Sequence, residues 1–269
     1  MTYININGKI TTPDTAGIPV DNGAFRYGYG LFETMLVRDN VIRLKEYHWQ
    51  RLFEDSKKLY FDLKALMTPD ELETEVMKTV KKNGLEKLCR VRLQFFASGG
   101  GLYGLETSRP GFLIECFPLN ETTLQLNTNG LTIGIAEGYN KSVDSLSNIK
   151  SCNALIYALA ARQAKANKWN DALICNTYGN IIESTIANIF WIHDGIIYTP
   201  PLSDGCIAGV MRRHIISITE VKEKSLTSLD LFQAQEVFLT NSIKAISWVS
   251  DIGNQRLEQK TIRCIFDII

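Results

Sequence analysis

Histidine is scarce in this chain. His48, His193 and His214 are the only three, too scattered in sequence to argue for a metal cluster. The six cysteines, Cys89, Cys116, Cys152, Cys175, Cys206 and Cys264, form no CxxC pair and no metal-ligand spacing. Several lie in apolar runs, as Cys116 does in FLIECF and Cys175 in ALIC. They therefore read as core thiols of a reducing compartment and not as a disulfide framework. A net charge is lacking too. Lys plus Arg and Asp plus Glu number 29 each, so there is no bulk field for nucleic acid or an anionic membrane, and any anion site must be local. No apolar run approaches the ~20 residues of a membrane span. The opening MTYININGKI has no basic region followed by an apolar one, so no secretory signal is expected there. These absences predict a soluble cytoplasmic protein.

What is present is an ordinary globular composition, 45% apolar and 22% charged over 269 residues. That is enough chain for one large domain or two small ones. Residues 3–6 and 9–10 flank Asn7-Gly8 and read as a hairpin with an Asn-Gly turn. Residues 31–37 read as a strand that turns at Asp39-Asn40 and returns through 41–44. Residues 46–60 and 70–82 carry apolar side chains at helical spacing, the second after Thr68-Pro69, an N-cap and a first-turn proline. Residues 91–96 and 112–117 read as buried strands joined through the glycine-rich SGGG. A polar stretch, 120–130, is the linker candidate. Beyond it come a strand at 131–136, a helix after Lys150, short strands up to Tyr198, a helix from Gly209, a strand at 236–240 and a terminal helix at 258–269. No repeat or low-complexity tract is visible. The mixture predicts an α+β fold in two domains, a small N-terminal one over 1–119 and a larger C-terminal one over 131–269.

The stretch from Lys150 to Arg212 carries the chemistry. A lysine opens a helix, and Glu183 follows the turn Tyr178-Gly179-Asn180. A strand containing Asn188 comes next, then YTPPL, then Gly209 opening another helix. An amine for a Schiff base, a carboxylate for a pyridine nitrogen and a helix N-terminus for a phosphate are what pyridoxal 5'-phosphate (PLP) requires. Lys150 would need to be neutral near pH 7, well below its usual pKa of ~10.4. The amides of Val210 and Met211 would point at an anion from the start of their helix.

ESTIANIFW, YTPPL and GVMR in that order, with HWQRL upstream, resemble the class IV aminotransferase family of fold-type IV PLP enzymes. The resemblance runs from INGKI to EVFLTNS, nearly the whole chain. It implies a small N-terminal α/β domain and a larger C-terminal, barrel-like domain that binds PLP. Lys150 matches the Schiff-base lysine, with Asn153 at the third position after it. Glu183 matches the carboxylate on the pyridine nitrogen, and Ile207 the aliphatic side chain packed on the ring. Asn188 lies in the cofactor-binding block, and Val210 and Met211 in the phosphate turn. Arg51 matches the H-x-x-R-L arginine, whose planar fork suits phosphate. A small amino substrate and a homodimer are also implied, with residues 25–32 and 102–105 as candidate dimer surfaces. No metal, nucleic acid or membrane is expected.

Within the family, four positions lean towards the 4-amino-4-deoxychorismate lyases. Met211 stands where many aminotransferases have threonine, and Leu155 where many have a tyrosine. Thr34, in LFETM, matches a threonine that assists proton transfer, and Asn241, in LTNS, an asparagine that helps hold substrate. Thr34 also suits a strand and Asn241 a turn by propensity alone. The lyase's substrate arginine near SGGG has no counterpart, which leaves Arg26, Arg92 and Arg109 as open choices for a carboxylate. An amino-acid aminotransferase, branched-chain before D-amino acid, is the alternative. A non-catalytic relic of the fold is the remaining one.

Overall fold

The computed structural model describes residues 2–98, 103 and 109–269. The chain divides into two compact units. The first comprises Met1–Thr123 with Ile149–Asn153, and the second Leu124–Asn148 with Ala154–Ile269.

In chain order the first unit holds β1 (Ile4–Ile6), β2 (Lys9–Thr11), α1 (Gly23–Tyr27), β3 (Gly30–Arg38) and β4 (Val41–Ile42). It continues with α2 (Lys45–Lys58), α3 (Leu63–Leu66), α4 (Pro69–Lys82), β5 (Leu88–Phe96) and β6 (Gly111–Pro118). Its six strands form one antiparallel sheet in the order β2-β1-β6-β5-β3-β4. The expected hairpin is there, with Asn7 and Gly8 both at positive φ. Thr68 caps α4 in a full capping box with Glu71 behind Pro69, so the sequence signal there is a hydrogen-bonded one. Leu31, Met35 and Val37 of β3 alternate onto the core, where they meet Leu52 of α2, Leu72 and Val76 of α4, and Val91 and Leu93 of β5. Burying each such side chain stabilises the unit by about 1.5–3 kcal/mol. The glycines of SGGG lie outside the described residues.

The second unit holds β7 (Leu131–Lys141), α5 (Leu155–Ala166), β8 (Asp171–Asn176), β9 (Ile181–Ser184), β10 (Asn188–His193), β11 (Ile196–Thr199) and α6 (Val210–Ile218). It ends with β12 (Val221–Glu223), α7 (Ser228–Gln233), β13 (Glu236–Asn241), β14 (Ala245–Ile252), β15 (Gln255–Arg256) and α8 (Ile262–Asp267). The sheet runs β12-β11-β10-β13-β14-β7-β8-β9, and β9 returns to pair with β10. That last pairing closes β10, β13, β14, β7, β8 and β9 into a barrel-like ring, and its register is Glu183 opposite Asn188. Ile133, Leu173, Ile189, Trp191, Val237 and Val249 pack together from its strands. Ala160 and Ala164 let α5 lie close on Ala172 and Ile174.

Two sequence expectations need revision. Lys150 does not open a helix: α5 begins at Leu155, and the residues from Ile149 to Asn153 lie before it. Their main chain pairs with the start of β3, which outcompetes helix formation. The terminal helix is confined to Ile262–Asp267, because β15 pairs with β14 and the buried Glu236 accepts from the amides of Lys260, Thr261 and Ile262. The linker candidate carries a short 3-10 turn, Glu121–Leu124, and the two units divide at its last residue. All six cysteines are free. Cys89, Cys116 and Cys206 are core thiols, whereas Cys264 is exposed. Among the described residues no helix is long and apolar enough to cross a membrane, and no three His, Cys, Asp or Glu side chains gather as metal ligands.

Candidate active site

In the first unit, Ile149–Asn153 lies antiparallel along β3. Ser151 bridges Leu31, the Phe32 amide donates to the Lys150 carbonyl at 3.0 Å, and the Cys152 amide donates to Gly30 at 2.8 Å. Only glycine fits at position 30, where a Cβ would stand 2.5 Å from the Phe95 carbonyl and 2.9 Å from Cys152 Sγ. This pairing aims Lys150 at Phe32: its Nζ lies 4.5 Å from the ring centre. Arg92, from β5, places its guanidinium carbon 3.8 Å from the centre of the same ring. Thr34 is cross-strand from Arg92, so Phe32, Thr34 and Arg92 share the sheet face opposite the core.

The other face of β3 carries a buried charge cluster. Glu33 accepts from Arg51 Nε at 2.8 Å and Nη2 at 2.5 Å, and its Oε2 lies 2.6 Å from His48 Nδ1. Burial alone would raise the Glu33 acid, but Arg51 and His48 outweigh it and hold it at about 2. Arg51, expected to meet a phosphate, is thus forked onto a carboxylate of its own chain and buried by it. A charged residue inside the apolar run GLFETMLV was the sequence signal for Glu33, and it went unread.

In the second unit Glu183 is buried and held on three sides. Its Oε1 accepts from Lys141 Nζ at 2.6 Å and Tyr157 hydroxyl at 2.7 Å, and its Oε2 accepts from the Ile207 amide at 2.9 Å. Burial and the Glu183 charge push the Tyr157 phenol well above its ordinary value, so it stays protonated and donates. The same two causes push the buried Cys206 thiol up to about 12. One acceptor site remains on Glu183 Oε2. Lys141 and Tyr157 were missed from the sequence, where neither stands in a motif. Leu155, read as the replacement for a tyrosine, is exposed at the start of α5.

Asn188 shapes the turn before α6. Its Nδ2 donates to the Ile207 carbonyl at 2.9 Å, and a Cβ on Gly209 would fall 1.9 Å from its Oδ1. Helix α6 starts at Gly209 with no side-chain cap and no acid in its first turn. The amides of Val210 and Met211 therefore open an anion-receptive end, while both side chains are buried. Thr240, opposite Asn188 in the β10–β13 register, buries a hydroxyl with no partner among the described residues. Asn241 instead spends its Oδ1 on the amides of Ile243 and Lys244, as a turn residue does.

Comparison with known proteins agrees with this architecture. The family model described as Amino-transferase class IV matches residues 30–252. A putative branched-chain-amino-acid aminotransferase from Methanocaldococcus jannaschii is 27% identical over 267 residues, covering 96% of this chain and 91% of that protein. An aminodeoxychorismate lyase from Vibrio harveyi is 26% identical over 244 residues, covering 88% of each. Among solved structures, the PLP-form branched-chain aminotransferase from Thermobaculum terrenum superposes with a TM-score of 0.85. It is 19% identical over 99% of this chain and 92% of that one, a likeness of fold.

Proposed function

Because this chain belongs to the amino-transferase class IV family, we propose that it is a PLP-dependent enzyme in which Lys150 holds the cofactor's aldehyde. We further propose that it converts 4-amino-4-deoxychorismate to 4-aminobenzoate and pyruvate. The observation that carries this reading is the grouping on β3: the Lys150 amine and the Arg92 guanidinium over one Phe32 ring, with Thr34 on the same face. Those groups suit a substrate that presents both an amine-bearing carbon and a carboxylate.

The second unit's residues fit the cofactor on structural grounds. Glu183 keeps an acceptor site for a protonated ring nitrogen, with Lys141 and Tyr157 fixing its orientation. The uncapped start of α6 suits a phosphate, and the orphaned Thr240 hydroxyl adds a donor in the strand beside Asn188. Ile207 would add an apolar side chain for the ring. The cofactor supplies an electron sink that stabilises negative charge at the substrate carbon bearing the amine. Lys150, as a free amine, would take the proton from that carbon, and the Thr34 hydroxyl would assist its transfer. Of Arg26, Arg92 and Arg109, Arg92 is the one stacked beside the lysine, and it would hold a substrate carboxylate. Departure of the side chain as enolpyruvate, which then takes up a proton to become pyruvate, would leave an aromatic ring, and that aromatisation would drive the reaction. Met211 and Leu155 support the lyase reading; Asn241, occupied in its own turn, lends it little.

A second reading, transamination of a branched-chain amino acid, is favoured by the longer match to the Methanocaldococcus protein. It would use the same Lys150 and Glu183 and differ in where Lys150 returns the proton. Purified holo-protein decides between them. Pyruvate release from aminodeoxychorismate, without amino transfer to 2-oxoacids, is expected; ready transfer without pyruvate overturns the lyase in favour of the transaminase. Protein that takes up no PLP overturns both.

We also infer a homodimer. Val20, Phe25 and Tyr27 leave apolar surface exposed around α1, and the Tyr27 ring lies 5.1 Å from that of Tyr103. Leu31, in the same candidate segment, is core instead.

A further inference from the structure

Lys141 is the last residue of β7, where parallel pairing with β8 sets it beside Asn176. Its carbonyl accepts from the Thr177 amide at 3.1 Å, which holds the end of the strand. The side chain is only 11% exposed, and its Nζ meets Glu183 Oε1 at 2.6 Å. The same Nζ lies 5.3 Å from the centre of the Tyr157 ring. Tyr157, in the first turn of α5, donates its hydroxyl to that oxygen at 2.7 Å, and the Ile207 amide donates to Oε2 at 2.9 Å. Burial keeps the nearby Cys206 thiol protonated, so it brings no charge of its own. Glu183 thus carries one charged donor and two neutral ones, with one acceptor site left.

A ring nitrogen that holds a proton would be a second cation on this carboxylate. Two cations sharing one buried carboxylate repel each other, and away from water that repulsion is weakly screened. A carboxylate held by neutral donors alone would place its whole charge on the ring. We propose that Lys141 is a positioning residue that also shares the Glu183 charge, loosening the proton on the cofactor's ring nitrogen and so moderating the electron sink. The inference rests on the reading of Glu183 as the partner of that nitrogen, and it names what regulates the pair. Orientation alone predicts the opposite sign. If Lys141 did no more than steady Glu183, its loss would weaken the grip on the ring nitrogen; if it competes for charge, its loss strengthens that grip.

Binding of pyridoxamine 5'-phosphate (PMP) to the whole protein, cleared of cofactor, tests this against an analogue with C–H in place of the ring nitrogen. Neither ligand can form a Schiff base, so Lys150 does not enter the comparison. The wild type should bind PMP more tightly than the analogue. In Lys141→Met that preference should grow about tenfold, the scale of one nearby like charge at an effective protein dielectric. Lys141→Arg keeps the charge and should show the wild-type preference. Tyr157→Phe removes a neutral donor and should leave the preference close to the wild type's. An unchanged or smaller preference in Lys141→Met overturns the proposal, as does a gain just as large in Tyr157→Phe. Should the methionine variant not fold, Lys141→Gln, which keeps a donor without the charge, carries the same expectation and the same overturning result. A wild type that binds both ligands equally overturns the reading of Glu183 and this inference with it, whereas a wild-type preference that ignores Lys141 sinks the inference alone.

Discussion

Two buried carboxylates, Glu33 on β3 and Asp55 on α2, respond to pH in opposite senses. Glu33 is held at about 2 by its cations, so the stability it contributes is present above the ordinary carboxylate range near 4.5 and lost as the pH falls towards 2. Glu33→Gln would leave Arg51 buried against a neutral partner, and it should destabilise the protein at pH 7 by about 3–5 kcal/mol. Its melting temperature should also be flatter than the wild type's between pH 4.5 and 2, read by calorimetry across that range. Asp55 has the reverse sign. Its raised value means that stability is fully present below 3.8 and lost as the pH rises through about 6. That rise corresponds to roughly 3 kcal/mol. The melting temperature of Asp55→Asn minus that of the wild type should therefore grow between pH 4 and pH 7. A difference that stays constant would mean that Asp55 ionises as freely in the folded protein as in the unfolded chain.

At the scale of elements, the turn into α6 is the most constrained piece of backbone. Ile207 gives its amide to Glu183 and its carbonyl to Asn188, so one residue ties the buried Glu183 carboxylate to the turn before α6. Gly209→Ala would drive a methyl group into Asn188 and displace the first amides of α6. Affinity for PLP, followed by fluorescence titration, should fall at least about tenfold, the equivalent of one lost charge-assisted hydrogen bond. Unchanged affinity would mean that the α6 amides do not hold the phosphate. How legible such elements were in sequence varied with how local their causes are. The capping box of α4 and the Asn-Gly hairpin are decided within a few residues, and both were readable. The pairing of Lys150 and Cys152 with β3 was not, because it depends on hydrogen bonds to Phe32 and Gly30, more than a hundred residues away.

At the scale of the molecule, the second unit's ring of strands closes where Glu183 faces Asn188. The pairing that completes the fold is thus also the one that places the two cofactor candidates. Exposed apolar surface around α1 is the remaining whole-molecule feature. Phe25, 80% exposed, should contribute to the proposed dimer, so Phe25→Asp should lower the sedimenting mass towards that of a monomer. A wild type that sediments as a monomer would remove the dimer altogether.

From the chain alone one could read residue types that suit PLP, the order in which they come, the α+β class and most strand and helix positions, because propensity, turn chemistry and motif spacing are local. Tertiary structure alone decided that Arg51 is gripped by Glu33, that Lys141 and Tyr157 hold Glu183, and that Arg92 shares an aromatic ring with Lys150. The reason is physical. A side chain's charge state and direction are set by neighbours that arrive from distant strands and helices, and nothing in the spacing of residues along the chain records who those neighbours will be.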